Sequence, residues 1–453
     1  MILTLPLWRW MAFASILIAA LMPGRAPAQV DIEAEARTLR PALQKAEQLL
    51  LDGKIEEANQ VILAVFPEAT RTPVQALTLA NVLFKQDPKA SYALHKRAAQ
   101  EIKDESSVHL EWGLEQHRAK EYEGAAASYA AFAKTNPQFA PVYGIWAECL
   151  IRTDKAAEAV AMWQKSESAG IGTLDDFEEL VCEANSGLFP HRKRAELLAK
   201  VQTGDVQSAE ELIELDCHFE RDWWNGGPQR AYLEHDRGMI QSIKFADARR
   251  AAEAIAAADC ALTAANADLK ALLRERGLVF DAASTLPRSG RMLSIILGTV
   301  LDRKAMTTAQ ARASFADAAL ASARQNKDAE MFNVAAHLYL GTPRLAEVDQ
   351  LAWDATGDER FAVSRLVGLM AENELKIDDP RLAKARQQFP ENSDLAAIVV
   401  QLSTQAGKPM RDVLVHAIKT EYTRFSIQRG IVARRSARPL RAYFGMLAAE
   451  LPK

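Results

Sequence analysis

The chain of 453 residues is poor in cysteine, with four residues spread along its middle: Cys149, Cys182, Cys217 and Cys260. No two of them form a C-x-x-C pair, so the common zinc and thiol-redox motifs are excluded. In an oxidising compartment the four thiols could form up to two disulfides, in any of three pairings. The alternative is that several of them are small buried residues on helices.

The sequence also lacks the motifs of the common enzyme classes. It contains no G-x-S-x-G, P-loop, H-E-x-x-H or Rossmann glycine pattern. His109 and His117 stand eight residues apart, which is too far along one helix for a single metal ion without outside ligands. We therefore predict no catalytic residue, no metal site and no cofactor.

A strong excess of charge of one sign is missing as well. The formal net charge is −4, and a weakly acidic chain is a poor candidate for general nucleic-acid binding. Charged residues make up 25% and hydrophobic residues 49%, which is typical of a folded protein rather than a disordered one. We expect no nucleic-acid partner.

The N-terminal segment, residues 1–28, has the features of an export signal. Arg9 is followed by an apolar run over residues 10–22, which Pro23 and Gly24 interrupt. Ala26-Pro27-Ala28 then offers small residues to a signal peptidase, so we expect cleavage after Ala28 and a periplasmic or otherwise secreted protein. The alternative is an uncleaved membrane anchor over residues 3–22.

The rest of the sequence is helical in character. Alternating β-branched stretches of strand length are nearly absent, while strong helix formers dominate throughout. Three segments share one helix–turn–helix boundary pattern: 53–58, 120–125 and 154–159. The step from Ala125 to Ala159 is about 34 residues, a period that indicates stacked helical repeats.

Two copies of this pattern carry most of the signal. The first has Gly113 early in its first helix, then Ala125 and Tyr129 in its second helix, and Pro137 at its end. The second has matching residues at Trp146, Ala147, Ala159 and Trp163. Small residues let two helices approach closely, and the aromatic residues fill the space against the next repeat. The alternative is a coincidence of amphipathic helix pairs.

These residues resemble the tetratricopeptide repeat, most clearly over residues 39–173. Phe132 and Ser166 stand where a second alanine is usual, so the copies are degenerate. The resemblance implies an all-α fold, an α-solenoid of stacked antiparallel helix pairs, and a role in binding another protein. We expect a repeat array over 29–224 and a more irregular helical-repeat domain with a basic end over 225–453, divided at the break that begins at Asn225.

The inner surface of the array is the first candidate for binding. The resemblance places Leu110, Leu114, Gly144 and Glu148 at inward positions of the first helices. Such side chains do not suit a peptide carboxylate, but they would suit an apolar or extended peptide in a groove.

Two further segments could bind a partner. Trp223 and Trp224 follow Arg221 just before a Gly-Gly-Pro turn, where an exposed indole could stack on a sugar ring or anchor a protein. The alternative is that both indoles fill the seam between the two halves. Near the C-terminus, a basic cluster would suit an anionic surface or an acidic partner, or else simply cap the last helices: Arg434, Arg435, Arg438 and Arg441.

From these features we predict an exported, non-catalytic scaffold or adaptor of the cell envelope that binds another protein. The second hypothesis is a protein that binds a carbohydrate or envelope polymer through the Trp223 and Trp224 region. The third is an enzyme whose active site lies in the C-terminal half. The cellular role follows from the repeat resemblance and the signal alone.

Overall fold

The computed structural model describes residues 32–83, 87–102, 106–169, 191–221, 229–263, 287–301, 309–424 and 438–451. Every regular element in these ranges is an α-helix, which confirms the all-α prediction. The predicted export signal lies outside the described residues. Among the helices that are described, none combines the length and the apolar character that crossing a membrane requires.

Two compact units make up the chain. Unit 1 comprises Met1–Lys193 together with Val399–Lys453, and unit 2 comprises Arg194–Ile398. The expected division at Asn225 falls within residues 222–228, outside the described part, and stays a prediction.

The helices of unit 1 are α1 (Ile32–Leu51), α2 (Ile55–Leu63), α3 (Pro73–Leu83), α4 (Pro88–Glu101), α5 (Ser106–Arg118), α6 (Tyr122–Thr135), α7 (Ala140–Arg152) and α8 (Ala156–Ser168). Those of unit 2 are α9 (His191–Gln202), α10 (Val206–Arg221), α11 (Gln229–Ser242), α12 (Ala248–Thr263), α13 (Gly290–Leu301), α14 (Ala309–Asn326), α15 (Ala329–Leu338), α16 (Arg344–Thr356), α17 (Glu359–Ala371) and α18 (Pro380–Gln388). Helix α9 begins three residues before the border of unit 2, and α19 (Ser393–Gln405) crosses the other border. The last pair, α20 (Arg411–Arg424) and α21 (Arg438–Glu450), belongs to unit 1.

Helices that follow each other in sequence pack as pairs. In unit 1 these pairs are α1–α2, α3–α4, α5–α6, α7–α8 and α20–α21. In unit 2, α11–α12, α14–α15 and α16–α17 pack in the same manner. The stacked pairs confirm the helical-solenoid architecture, because each pair covers the apolar face that its neighbour leaves open.

One turn geometry joins the helices within the pairs. Gly53, Lys120 and Asp154 have left-handed φ angles of 74°, 62° and 60°. Beyond each of them, the next amide donates to a carbonyl five residues back, which is the hydrogen bond that ends a helix in the Schellman turn: Lys54 to Leu49, Glu121 to Gln116 and Lys155 to Leu150, each 2.8 Å long. The step from Lys120 to Asp154 equals the step from Ala125 to Ala159, so the turn has the period of the sequence repeat.

The same turn recurs in unit 2, although the repeat signal in the sequence is weak there. Gly204, Lys327 and Asn373 have positive φ angles. The matching hydrogen bonds run from Asp205 to Lys200, from Asp328 to Ala323 and from Glu374 to Leu369. Both units are therefore built from the same kind of helix end.

Close packing within a pair depends on a small residue in the first helix. The Tyr129 side chain on α6 is fully buried against α5. A Cβ atom added at Gly113 would lie only 2.5 Å from Cε1 of Tyr129, far inside normal contact. Ala125 and Ala159 are fully buried, and Trp163 almost so. These side chains fill the interior of the array.

The C-terminal helix pair packs on the fourth pair of the array. Helix α20 packs against α7, and α21 packs against α8. The rings of Trp163 and Phe444 stack with centroids 4.7 Å apart and planes 12° from parallel. Helices α20 and α21 thus form a further layer beside α7–α8, although the whole of unit 2 intervenes in the sequence.

Candidate functional site

Several of the binding residues expected from the sequence lie outside the described part of the chain. They are Trp223, Trp224, Arg434 and Arg435. Arg221 is the last residue of α10, and its side chain is also outside the description. The glycan-binding hypothesis and the densest part of the basic cluster therefore stay predictions.

The described arginines of the basic end lie on α21. Arg441 Nε is 2.7 Å from Glu167 Oε1 on α8, with both side chains exposed. Arg438 is the exposed first residue of α21. Because Arg441 already has an acidic partner in its own chain, part of the basic cluster joins α21 to the array.

The four positions expected on an open inner surface are buried instead. Leu110, Leu114, Gly144 and Glu148 all lie in the interior. The carbonyl of Gly144 accepts a hydrogen bond from the Tyr422 hydroxyl on α20. The expectation of a peptide groove lined by these four residues is therefore wrong, and around Gly144 helix α20 of the chain itself covers α7.

A buried polar cluster joins α3, α4 and α5. His95 on α4 lies with Nε2 3.8 Å from Glu111 and Nδ1 3.7 Å from Glu115, both on α5. Asn81 of α3 contacts both His95 Nε2, at 3.1 Å, and Glu111, at 3.3 Å. Burial lowers the pKa of His95, and the Glu115 carboxylate opposes that shift only in part. These side chains hold two successive layers together.

A second buried cluster joins α5, α7 and α20. His117 Nε2 lies 3.3 Å from Glu148 Oε2, and Glu148 is 0% exposed. Arg152 Nη2 lies 3.1 Å from Glu148 Oε1 and also donates to the carbonyl of Lys419 and the hydroxyl of Thr423, at 2.9 Å each. The guanidinium therefore neutralises a buried carboxylate and at the same time binds the C-terminal helix pair.

The titratable side chains of these two clusters are poorly placed for acid–base chemistry on a substrate, because they are buried. Cys149 Sγ lies 3.5 Å from His117 Nδ1, but burial raises the pKa of this thiol well above its usual value, so it is neutral. His95, His117, Glu148 and Cys149 are all buried. Within the described residues, no group of three or more His, Cys, Asp or Glu side chains is arranged to hold a metal ion.

Two partly exposed tryptophans occupy equivalent positions in successive layers. Trp112 on α5 and Trp146 on α7 are one repeat period apart, and each precedes the small residue of its helix. The Tyr92 ring lies 5.0 Å from Trp112, and the Tyr143 ring lies 6.3 Å from Trp146. We call Trp112 and Trp146, with the Tyr92 ring and the buried Tyr143 ring beside them, the aromatic face.

The sequence contained a signal for this face that our interpretation of it missed. The repeat pattern assigns Trp146 to packing, because it stands at a matching position of the second copy. Trp112 stands at the corresponding position of the first copy, and the spacing of one repeat alone places the two indoles at corresponding points of two layers.

Comparisons with known proteins add little to this geometry. No family model matches the chain, and no curated protein matches it. It is similar to a chain in the solved structure of Naa15/Naa10 bound to HypK-THB, with 14% identity and a TM-score of 0.23 over 98% of this chain. This chain spans 66% of the length of that one. At such a TM-score the likeness says nothing about function, and the solenoid assignment depends on the helix pairs themselves.

Proposed function

We propose that this protein is a non-catalytic scaffold or adaptor that binds another protein on tetratricopeptide-like helix pairs. The turns at Lys120 and Asp154, which are one repeat period apart, and the close approach at Gly113 support this family assignment. The buried histidines and carboxylates of unit 1 support the non-catalytic part, because they bind neighbouring layers to one another.

The aromatic face is the observation that carries the proposal. Tryptophan and tyrosine are enriched among the residues that dominate protein–protein binding energy, since a large ring is desolvated at small entropic cost. Trp112 and Trp146 remain partly exposed although most of α5 and α7 around them is buried. We propose that the partner is an exported or envelope protein that covers these two indoles together.

The exported location is a proposal of its own. It is supported by the positive residue, apolar run and Ala-Pro-Ala site in residues 1–28. Mass spectrometry of the mature N-terminus after expression in a bacterium with an envelope would test it, with Gln29 expected as the first residue. An intact N-terminus in the membrane fraction would instead support the anchor over residues 3–22.

Partner binding is tested by affinity purification of the full chain from an envelope extract. We compare the wild type with a Trp112→Ser, Trp146→Ser double variant and with a control, Ala127→Ser, on the exposed side of α6. We expect the wild type and the control to recover the same stoichiometric protein, and the folded double variant to lose it at least tenfold, about 1.4 kcal/mol. Equal recovery by all three proteins would overturn the aromatic face as the binding surface.

A further inference from the structure

Unit 2 buries two carboxyl groups beside a single guanidinium. Asp216 on α10 and Asp236 on α11 are both 0% exposed, and Arg194 on α9 is 1% exposed. Arg194 donates to both oxygens of Asp236, with Nε at 3.1 Å and Nη2 at 2.5 Å. Asp216 Oδ1 lies 3.6 Å from Arg194 Nε, too far for a hydrogen bond.

The two carboxyl groups are therefore satisfied unequally. Asp236 has the guanidinium fork and His235 Nδ1, which lies 2.7 Å from its Oδ1. Within the described residues, neither oxygen of Asp216 has a hydrogen-bond donor. The guanidinium also lies 4.3 Å above the Tyr232 ring, which fixes it in place opposite Asp236.

Several other charged groups on the surrounding helices pair with one another. On α10, α11, α12 and α13 the ion pairs are Glu210–Arg250, Asp259–Arg237, Glu253–Arg249 and Glu214–Arg291, with Glu211 also near Arg291. The remaining titratable groups on these helices include the thiols of Cys217 and Cys260. Within the described part of the chain, Arg194 is the guanidinium that lies beside both Asp216 and Asp236, and His235 faces Asp236.

Two buried anions cannot both be stabilised by one cation. A buried carboxylate without a donor loses several kcal/mol of solvation, and a second carboxylate beside it adds repulsion. Both effects act on Asp216: burial raises its pKa well above the usual value, Asp236 raises it further, and Arg194 opposes them. A proton on Asp216 removes one charge and supplies a donor directed at a carboxylate.

We propose that Asp216 and Asp236 share one proton in folded unit 2, and that its loss at higher pH loosens the packing of α9, α10 and α11. The device makes unit 2 sensitive to proton concentration whatever partner the protein binds. It needs no ligand, because the folded chain itself holds the proton.

The sign of the effect follows from proton linkage. The unfolded chain releases the Asp216 proton near its ordinary pKa of about 3.9, whereas the folded chain keeps it to a higher pH. Between these two values the folded state holds more protons, so unit 2 loses stability as the pH rises. Glu214 on α10 acts in the same direction, because burial raises its pKa to about 7.

Hydrogen exchange of the full-length chain tests the proposal. A Glu214→Gln background removes the other carboxyl group whose pKa burial raises. In this background, protection factors of peptides from α9 to α11 are compared between about pH 5 and about pH 8. In that background we expect protection to fall as the pH rises, by up to about tenfold per pH unit. That slope is the limit for release of one proton. Adding Asp216→Asn should abolish the fall, because the amide is neutral and can donate to Asp236. Adding Asp354→Asn, at an exposed ion pair with Lys384, should leave the fall unchanged.

If Asp216→Asn does not fold, a second variant and a second measurement test the proposal. Asp236→Asn also leaves one carboxyl group beside Arg194 and should weaken the pH dependence, because the repulsion on Asp216 is gone while its burial remains. Difference infrared spectroscopy of the folded protein near neutral pH should show the carbonyl stretch of a protonated carboxyl group, which disappears in Asp216→Asn. Protection that does not vary with pH in the Glu214→Gln background, or the absence of that infrared band, would overturn the proposal.

Discussion

The hydroxyl of Tyr422 donates a 2.9 Å hydrogen bond to the carbonyl of Gly144 and so joins α20 to α7 across 278 residues of sequence. Tyr422 is fully buried. The contact is part of the interface that Arg152 and the Trp163–Phe444 stack also form. The C-terminal pair is therefore an integral layer of unit 1.

The Tyr422 contact predicts a moderate effect of removing one hydroxyl. Tyr422→Phe keeps the ring and loses the donor, so we expect the free energy of unfolding of unit 1 to fall by about 1 kcal/mol. Urea unfolding, with hydrogen exchange of peptides from α7 and α20, measures the change. Tyr92→Phe, which loses a bond to Glu121 at the surface, is the control and should change stability by less than about 0.5 kcal/mol. Equal effects in the two variants would contradict the interface.

Replacing Arg152 should lower the stability of unit 1 far more than replacing an exposed arginine lowers stability. Arg152→Met leaves the fully buried Glu148 without its cation, which we expect to destabilise unit 1 by about 3 kcal/mol or more. Adding Glu148→Gln should restore a large part of the loss. Arg324→Met breaks an exposed ion pair with Glu347, and we expect less than about 1 kcal/mol there. Thermal and urea unfolding distinguish these outcomes, and a small effect of Arg152→Met would show that Glu148 is otherwise compensated.

Gly113 and Gly368 make a matched pair of helical glycines. Gly113→Ala would place a methyl group against the Tyr129 ring, so we expect a loss of about 1–3 kcal/mol from overpacking. At Gly368 on α17 no atom lies within 4 Å of the added Cβ. Gly368→Ala should therefore stabilise the chain by about 0.5–1 kcal/mol. Urea unfolding of the two variants measures both changes, and effects of the same sign would contradict the packing at Gly113.

The buried His95 predicts an acid sensitivity in unit 1 opposite in sign to that of unit 2. Its folded pKa lies below the unfolded value, so the unfolded state binds more protons as the pH falls through about 6.5. The His95 contribution to stability is thus complete above that pH and is lost below it. Protection factors of α3 to α5 peptides should fall on acidification in the wild type, and less so in His95→Gln. No difference between the two proteins would show that acidification acts elsewhere.

The sequence predicts the helix pairs of the repeat, but it does not predict which pairs pack against each other. Alanine spacing and the shared helix–turn–helix boundary predict helix pairs because both are local, and the Gly113–Tyr129 contact lies within one pair. The contact of Trp163 with Phe444 could not be predicted, since no local pattern indicates that α20 and α21 pack beside α7–α8. The prediction of an open inner surface was wrong for the same reason, because a distant part of the chain covers Gly144 and Glu148.

The central claim is that a protein partner covers Trp112 and Trp146, and site-specific crosslinking in intact cells tests it most directly. A photo-crosslinking amino acid replaces each tryptophan in turn, and for comparison Ala127 on the exposed side of α6. We expect positions 112 and 146 to crosslink to the same protein, and position 127 to give no crosslink to it. Crosslinks that are absent at both tryptophans, or equally strong at position 127, would contradict the claim.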